Sequence, residues 1–150
     1  MAIKFLNDKS YELPNDGSLN NPKSAKIVKV AHQLSDGLSS SLYQLQEINN
    51  VGFEINQKKI PVASELLSLK KKIKTLDVEQ IALHFGGDYE LLVTIPQDVF
   101  EKTQKIIKKQ GVHLHPIGSV KRTKKIMLND GKRQTVLDNK GYEHFKKHVF

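Results

Sequence analysis

The segment His84-Phe85-Gly86-Gly87-Asp88-Tyr89-Glu90-Leu91-Leu92-Val93-Thr94-Ile95-Pro96 carries the clearest pattern in the chain. In an extended segment over 89–95, Tyr89, Leu91 and Val93 share one side and Leu92 is apolar on the other. A strand apolar on both faces lies centrally in a sheet covered on both sides. Pro96 ends it, because proline has no N–H to give to a ladder. Gly86-Gly87 separates this strand from a short helix that Asp77 caps and that runs through Phe85. Beyond Pro96, residues 97–110 predict a helix with Val99, Phe100, Ile106 and Ile107 as its inner stripe, closed by Gly111.

Outward from this segment the elements alternate. Toward the C-terminus, strands are predicted near 112–120, 124–129 and 133–137, with Asn129-Asp130-Gly131 as a hairpin signal, and a helix over Tyr142–Phe150. Toward the N-terminus, Ala63, Leu66, Leu67, Leu69 and Ile73 predict a helix over 63–73. Lys59-Ile60-Pro61-Val62 reads as extended, and Phe53-Glu54-Ile55 as a strand. Leu38, Leu42, Leu45 and Ile48 recur at helical spacing. Asp36 or Ser35 is the expected N-cap of that helix, and Asn49-Asn50 and Gly52 end it. Ile27, Val30, Ala31 and Leu34 predict a further helix over 23–34, opened by Pro22. Residues 1–21, with Pro14-Asn15-Asp16-Gly17-Ser18 and Asn20-Asn21-Pro22, read as loosely structured. The expectation is an α+β chain: a layered α/β domain over 22–150, with a mixed, mostly antiparallel sheet, preceded by a loose segment over 1–21.

Composition bounds the function. The chain has 150 residues, no cysteine and a formal net charge of +8. Disulfide scaffolds and thiolate metal sites are excluded. No apolar run approaches the roughly 20 residues of a membrane helix, and the N-terminus lacks the apolar core of a signal peptide; a soluble, cytoplasmic protein is expected. The positive charge raises nucleic-acid binding as a reading. Against it, 22 of the 24 basic residues are lysine and only Arg122 and Arg133 are arginine, the residue suited to bidentate phosphate and guanine contacts. The charge is also spread evenly, each half of the chain carrying a net +4. The densest run, Lys70-Lys71-Lys72, reads as a solvated face.

Two short segments bring glycine and aspartate together between regular elements. The first is Leu34-Ser35-Asp36-Gly37-Leu38. The first turn of a helix offers free N–H groups that suit a phosphate, and an adjacent aspartate can hold Mg²⁺ shared with it. Taken alone, this is more simply an ordinary helix cap. The second is Gly86-Gly87-Asp88, where paired glycines allow close backbone approach; taken alone, it is a tight helix-to-strand turn. His113 and His115 would share one strand face, and His144 and His148 lie one helical turn apart. Without a third ligand nearby, exposed histidines are the simpler reading.

In order along the chain, Leu34-Ser35-Asp36-Gly37-Leu38-Ser39-Ser40, Val51-Gly52-Phe53, Lys59-Ile60-Pro61, Ala82-Leu83, Gly86, Asp88-Tyr89-Glu90-Leu91-Leu92-Val93-Thr94-Ile95-Pro96, Ile117-Gly118 and Gly141-Tyr142-Glu143-His144-Phe145 resemble the C-terminal domain of thiamine-monophosphate kinase, within the superfamily of aminoimidazole ribonucleotide synthetase. The resemblance implies a two-domain, homodimeric enzyme. Its N-terminal domain binds ATP and Mg²⁺, and its C-terminal domain helps to hold thiamine monophosphate. The γ-phosphate passes directly to the substrate phosphate, giving thiamine diphosphate. It implies a metal or phosphate role for Asp36, flanked by Ser35 and Gly37. Gly86, Gly87 and Asp88 would line the substrate side, and Tyr142 would sit beside the cationic thiazolium ring.

The sequence departs from the family pattern at three points. Gln33 stands three residues before Asp36, where the family has aspartate. Phe85-Gly86-Gly87-Asp88 stands where the family has Gly-Gly-Glu-Asp. The ATP-binding domain that the resemblance calls for is absent from these residues, and neither a P-loop nor a dinucleotide fingerprint occurs. The alternative reading is therefore a stand-alone, catalytically inactive ligand-binding or dimerisation module derived from that family.

Overall fold

A computed structural model describes residues 2–8, 30–87 and 90–139. Seven strands form one mixed sheet: β1 (Ala2–Asp8), β2 (Val30–Leu34), β3 (Gly52–Asn56), β4 (Glu90–Pro96), β5 (His113–Lys121), β6 (Ile126–Asn129) and β7 (Gln134–Val136). Their order across the sheet is β2-β4-β1-β5-β3-β6-β7. Antiparallel pairings join β2 to β4, β3 to β5 and β6 to β7; parallel pairings join β1 to β4, β1 to β5 and β3 to β6. With helices α1 (Leu38–Asn49), α2 (Ser64–Lys72), α3 (Val78–His84) and α4 (Phe100–Lys109), the class is α+β, as the alternation of elements predicted.

The strand over 90–96 is interior to the sheet and apolar on both faces, as its sequence dictated. Leu92 belongs to the core shared with Leu38, Leu42 and Leu45 of α1 and Leu83 of α3. Val93 and Ile95 belong to the opposite core, with Leu114 and with Val99, Phe100 and Ile107 packed against it. Two layers of helix therefore sandwich the sheet, α1 and α3 on one face and α4 on the other. Burying each such aliphatic side chain contributes about 1.5–3 kcal/mol.

Several expectations are corrected. Residues 2–8 are not loose: they form β1, inserted between β4 and β5, with Ile3 in register with Leu91 on one side and Leu114 on the other. The residues from 9 to 29 lie outside the described part. The helix expected over 23–34 is replaced, from Val30 onward, by β2, antiparallel to β4. Val30, Ala31 and Leu34 satisfy a helical face, but so short a run also satisfies an edge strand, and pairing with β4 prevails. In α1, Leu38, Leu42 and Leu45 are buried but Ile48 is 77 % exposed, because the last turn stands clear of the core. In α4, Ile107 packs inward while Ile106 is 48 % exposed. Residues 97–99 form a separate 3₁₀ turn before α4. The helix expected over Tyr142–Phe150 lies outside the described residues.

Two local turn signals are realised as expected. Asp77 caps α3, its carboxylate accepting from the Gln80 N–H at 3.0 Å. Asn129 and Asp130 accept from the Gly131, Lys132 and Arg133 amides and set the β6–β7 hairpin. The chain leaving β7 is then tied to α1: the Ser39 hydroxyl donates to the Asp138 carbonyl and the Tyr43 hydroxyl to the Leu137 carbonyl, each at 2.5 Å. Lys70, Lys71 and Lys72 end the exposed helix α2, no residue of which is buried. Among the described residues no helix is long and apolar enough to cross a membrane.

Candidate functional site

The two glycine-aspartate segments, some fifty residues apart in sequence, meet at one end of the sheet. Strand β2 delivers Leu34 in register with Glu90, the first residue of β4. The turn Ser35–Gly37 follows β2 directly, and the turn Gly86–Gly87 comes shortly before β4. Antiparallel pairing of β2 with β4 therefore sets these turns side by side.

Contact between them is backbone to backbone. The Gly87 N–H donates to the Ser35 carbonyl at 2.9 Å. A Cβ at Gly86 would stand 2.3 Å from that same carbonyl oxygen, so only glycine fits. Gly37 has φ +91°, and a Cβ there would lie 2.9 Å from the carbonyl carbon and oxygen of His84. Both conditions exclude a larger residue: the left-handed backbone and the close approach. The sequence placed glycine at these positions for packing between turns.

Gly37 is also the N-cap of α1, with no side-chain cap. This corrects the expectation that Asp36 or Ser35 caps the helix. Released from capping, the two side chains lie on the rim, Ser35 exposed and Asp36 half-buried. The rim is completed by Gly86, half-buried, Gly87, exposed, and Phe85, which is 56 % exposed. Gly37, Leu38 and Ser39 are buried beneath it. Two of the sequence-predicted residues, Asp88 and Tyr142, lie outside the described residues, so the structure brings together Ser35, Asp36, Gly37, Gly86 and Gly87.

Two residues at this rim were not singled out from the sequence. Glu90, in register with Leu34, brings a half-buried carboxylate to the start of β4; its signal was its place at the mouth of the interior strand. Phe85 puts an aromatic ring where the family pattern has glycine, and that departure was its signal. Gln33, in register with Leu91, is exposed, and its carbonyl accepts from the Ser35 N–H at 3.1 Å.

For a metal, the described donor set at the rim is a single half-buried aspartate on the turn, with a glutamate at the mouth of β4. No group of three or more metal-ligating side chains occurs among the described residues. Mg²⁺ is commonly held by one or two carboxylates together with substrate phosphate and water, so this donor set suits a magnesium ion shared with a bound phosphate. It does not suit an all-protein cage. His113 and His115 lie with ring centroids 6.2 Å apart on β5.

Comparison with known proteins finds relatives of this chain. A model of the family described as AIR synthase related protein, C-terminal domain, matches residues 17–130. The thiamine-monophosphate kinase of Haemophilus influenzae is 33% identical over 125 residues, covering 81% of this chain and 37% of its own length. The thiamine-monophosphate kinase of Bacillus subtilis is 31% identical over 121 residues, covering 77% of this chain and 34% of its own. The solved structure of AaThiL complexed with AMPPCP and TMP superposes with a TM-score of 0.63 at 28% identity, covering 80% of this chain and 35% of that one. The chain thus spans little more than a third of the length of these relatives.

Proposed function

Because the chain belongs to the family of AIR synthase related proteins, as their C-terminal domain, and resembles that domain of thiamine-monophosphate kinase, we propose that it is the substrate-side domain of an ATP-dependent thiamine-monophosphate kinase. The observation that supports this most is the backbone lock between Ser35–Gly37 and Gly86–Gly87, which unites the two family segments in one rim.

In the reaction so proposed, a phosphate oxygen of thiamine monophosphate bonds to the γ-phosphorus of ATP. The bond from that phosphorus to the β–γ bridging oxygen breaks, and ADP leaves with the electron pair. Such a transfer asks the protein for positioning and charge, with little covalent work. Asp36 would hold Mg²⁺. The ion supplies positive charge where two anionic phosphates must approach. Ser35 and the amides of the Gly86–Gly87 turn would orient the substrate phosphate, and the buried Gly37 would keep the two turns in contact. Asp88 would extend the acidic side of the rim. Tyr142 would offer an aromatic face to the thiazolium cation. ATP would be held by residues outside these 150, in an assembly proposed to be a homodimer.

The neutral Gln33 favours a second reading, a ligand-binding or dimerisation module without catalysis, since glutamine is a poor Mg²⁺ ligand. Calorimetric titration of the chain with thiamine monophosphate separates the two. It is run with and without Mg²⁺ and ATP, and thiamine diphosphate is assayed in the same samples. The kinase reading predicts Mg²⁺-dependent, saturable binding that Asp36→Ala weakens at least tenfold. Binding indifferent to both Mg²⁺ and Asp36 would establish the module instead. A folded chain that binds no thiamine monophosphate would remove both.

A further inference from the structure

A cavity of about 330 Å³ opens between the second half of α4 and the start of β5, lined by Gln104, Lys105, Lys108, Val112, His113 and Leu114. We propose that it is a second ligand site, separate from the Ser35–Gly37 rim, and that it takes a small molecule bearing a diphosphate group.

Its chemistry is cationic and its shape is set by the fold. Two of the six lining residues are lysines and none is acidic. Lys105 and Lys108 are separated by three positions on α4, which sets their side chains roughly 5–6 Å apart at the Cβ atoms. Two positive charges at that spacing match a group carrying at least two negative charges. Neither lysine belongs to the ion pairs Lys121–Glu54 and Arg133–Asp130. Glu101 stands four residues before Lys105, the arrangement that favours a helix ion pair, yet no pair forms and Lys105 lines the cavity.

The walls are held in place. The Gln104 side-chain amide donates to the Leu114 carbonyl at 3.4 Å, bridging helix to strand. Leu114 is buried and Val112 packs against the same core, so one wall is apolar and suits the organic part of a ligand. The volume falls in the range of small-molecule pockets, about 300–1,000 Å³.

Register places the cavity with respect to the candidate rim. Ile3 pairs with Leu91 on one side and Leu114 on the other, so the starts of β4 and β5 lie at the same end of the sheet, roughly 10 Å apart across two strand spacings. The rim lies by α1 and α3; the cavity lies by α4, on the opposite face.

The test uses the full chain, ¹⁵N-labelled, titrated at 0.15 M salt with inorganic pyrophosphate, ADP and thiamine diphosphate as separate probes (an ionic strength at which exposed charges more than about 8 Å apart are largely screened). Expected is saturable 1:1 binding of at least one probe, with amide shifts centred on 104–114. The double variant Lys105→Gln/Lys108→Gln should weaken it at least tenfold. Removing the same charge from α2, by Lys70→Gln/Lys72→Gln, should change it less than twofold. A preference for ADP or thiamine diphosphate over pyrophosphate at these amides supports the site and tells which organic group it accepts. Equal weakening by both double variants, shifts confined to 35–40 and 84–87, or no saturable binding would overturn the proposal.

Discussion

Asp36 and Gly86 stand at the same rim yet act in different ways, and their substitutions should separate. Asp36 is half-buried, and the structure gives it no role in capping α1. Asp36→Ala should leave the denaturation midpoint within about 0.5 kcal/mol of the parent while removing Mg²⁺-dependent binding of thiamine monophosphate. Gly86 does the reverse. An added Cβ would lie 2.3 Å from the Ser35 carbonyl oxygen, and relieving that clash must part the two turns. Gly86→Ala should cost about 1–3 kcal/mol, the range for overpacking, measured by urea denaturation, and should weaken binding as a consequence. The paired glycines at 86 and 87 could be read from the sequence as permission for close approach. That the approach is of one turn to the other could not, because the pairing of β2 with β4 that creates it is a long-range event.

Elements with strong local signals formed where the sequence put them. The strand over 90–96, the Asp77-capped helix and the Asn129-Asp130-Gly131 hairpin each rest on chemistry within a few residues. The failures fell where tertiary pairing decides. Val30–Leu34 has a helical spacing yet forms a strand; Ala2–Asp8 precedes a turn-rich stretch yet lies between two parallel partners. A five-residue segment with three apolar positions fits either period, and a parallel strand has no hairpin turn to announce it. Two element-scale predictions follow from side-chain ties. Tyr43 holds the chain after β7 to α1 through its hydroxyl, so Tyr43→Phe should lower stability by about 0.5–1.5 kcal/mol, read as a shift in denaturation midpoint. Glu54 of β3 and Lys121 of β5 pair at 2.7 Å. The Lys121 ammonium, through its hydrogen bond and its charge, holds the Glu54 carboxyl below its ordinary value of 4.5 against the opposing effect of burial, with hydrogen bonds from Asn129 and Gln134 adding to it. A lowered value means that the unfolded chain binds the proton more tightly. The pair's stabilisation is therefore complete above pH 4.5 and is lost as pH falls through the lower, folded value. Both side chains are partly exposed, so Glu54→Gln should cost only about 0.2–1 kcal/mol at neutral pH. It should also flatten part of the acid limb of a stability–pH curve.

At the scale of the whole molecule, one sheet end gathers what the sequence scattered. The turn after β2, the turn before β4 and the start of β5 converge there because β4, β1 and β5 run parallel and β2 returns antiparallel. The family likeness was legible from ordered short segments, and the α+β class from alternating periods. The parallel centre of the sheet was not legible, since its key strand is the first seven described residues. The net charge of +8 also resolves into distinct places: an exposed lysine run on α2 and a lysine-lined cavity by α4. The central claim is that the two glycine-aspartate turns form one phosphate-binding rim for thiamine monophosphate. It is tested most directly by mapping amide shifts of the ¹⁵N-labelled chain on addition of thiamine monophosphate and Mg²⁺. Saturable shifts concentrated in Ser35–Ser40 and His84–Glu90, absent in Asp36→Ala, are expected. Shifts confined to other parts of the sheet or to α2, with the 35–40 and 84–90 amides unmoved at saturation, would contradict it.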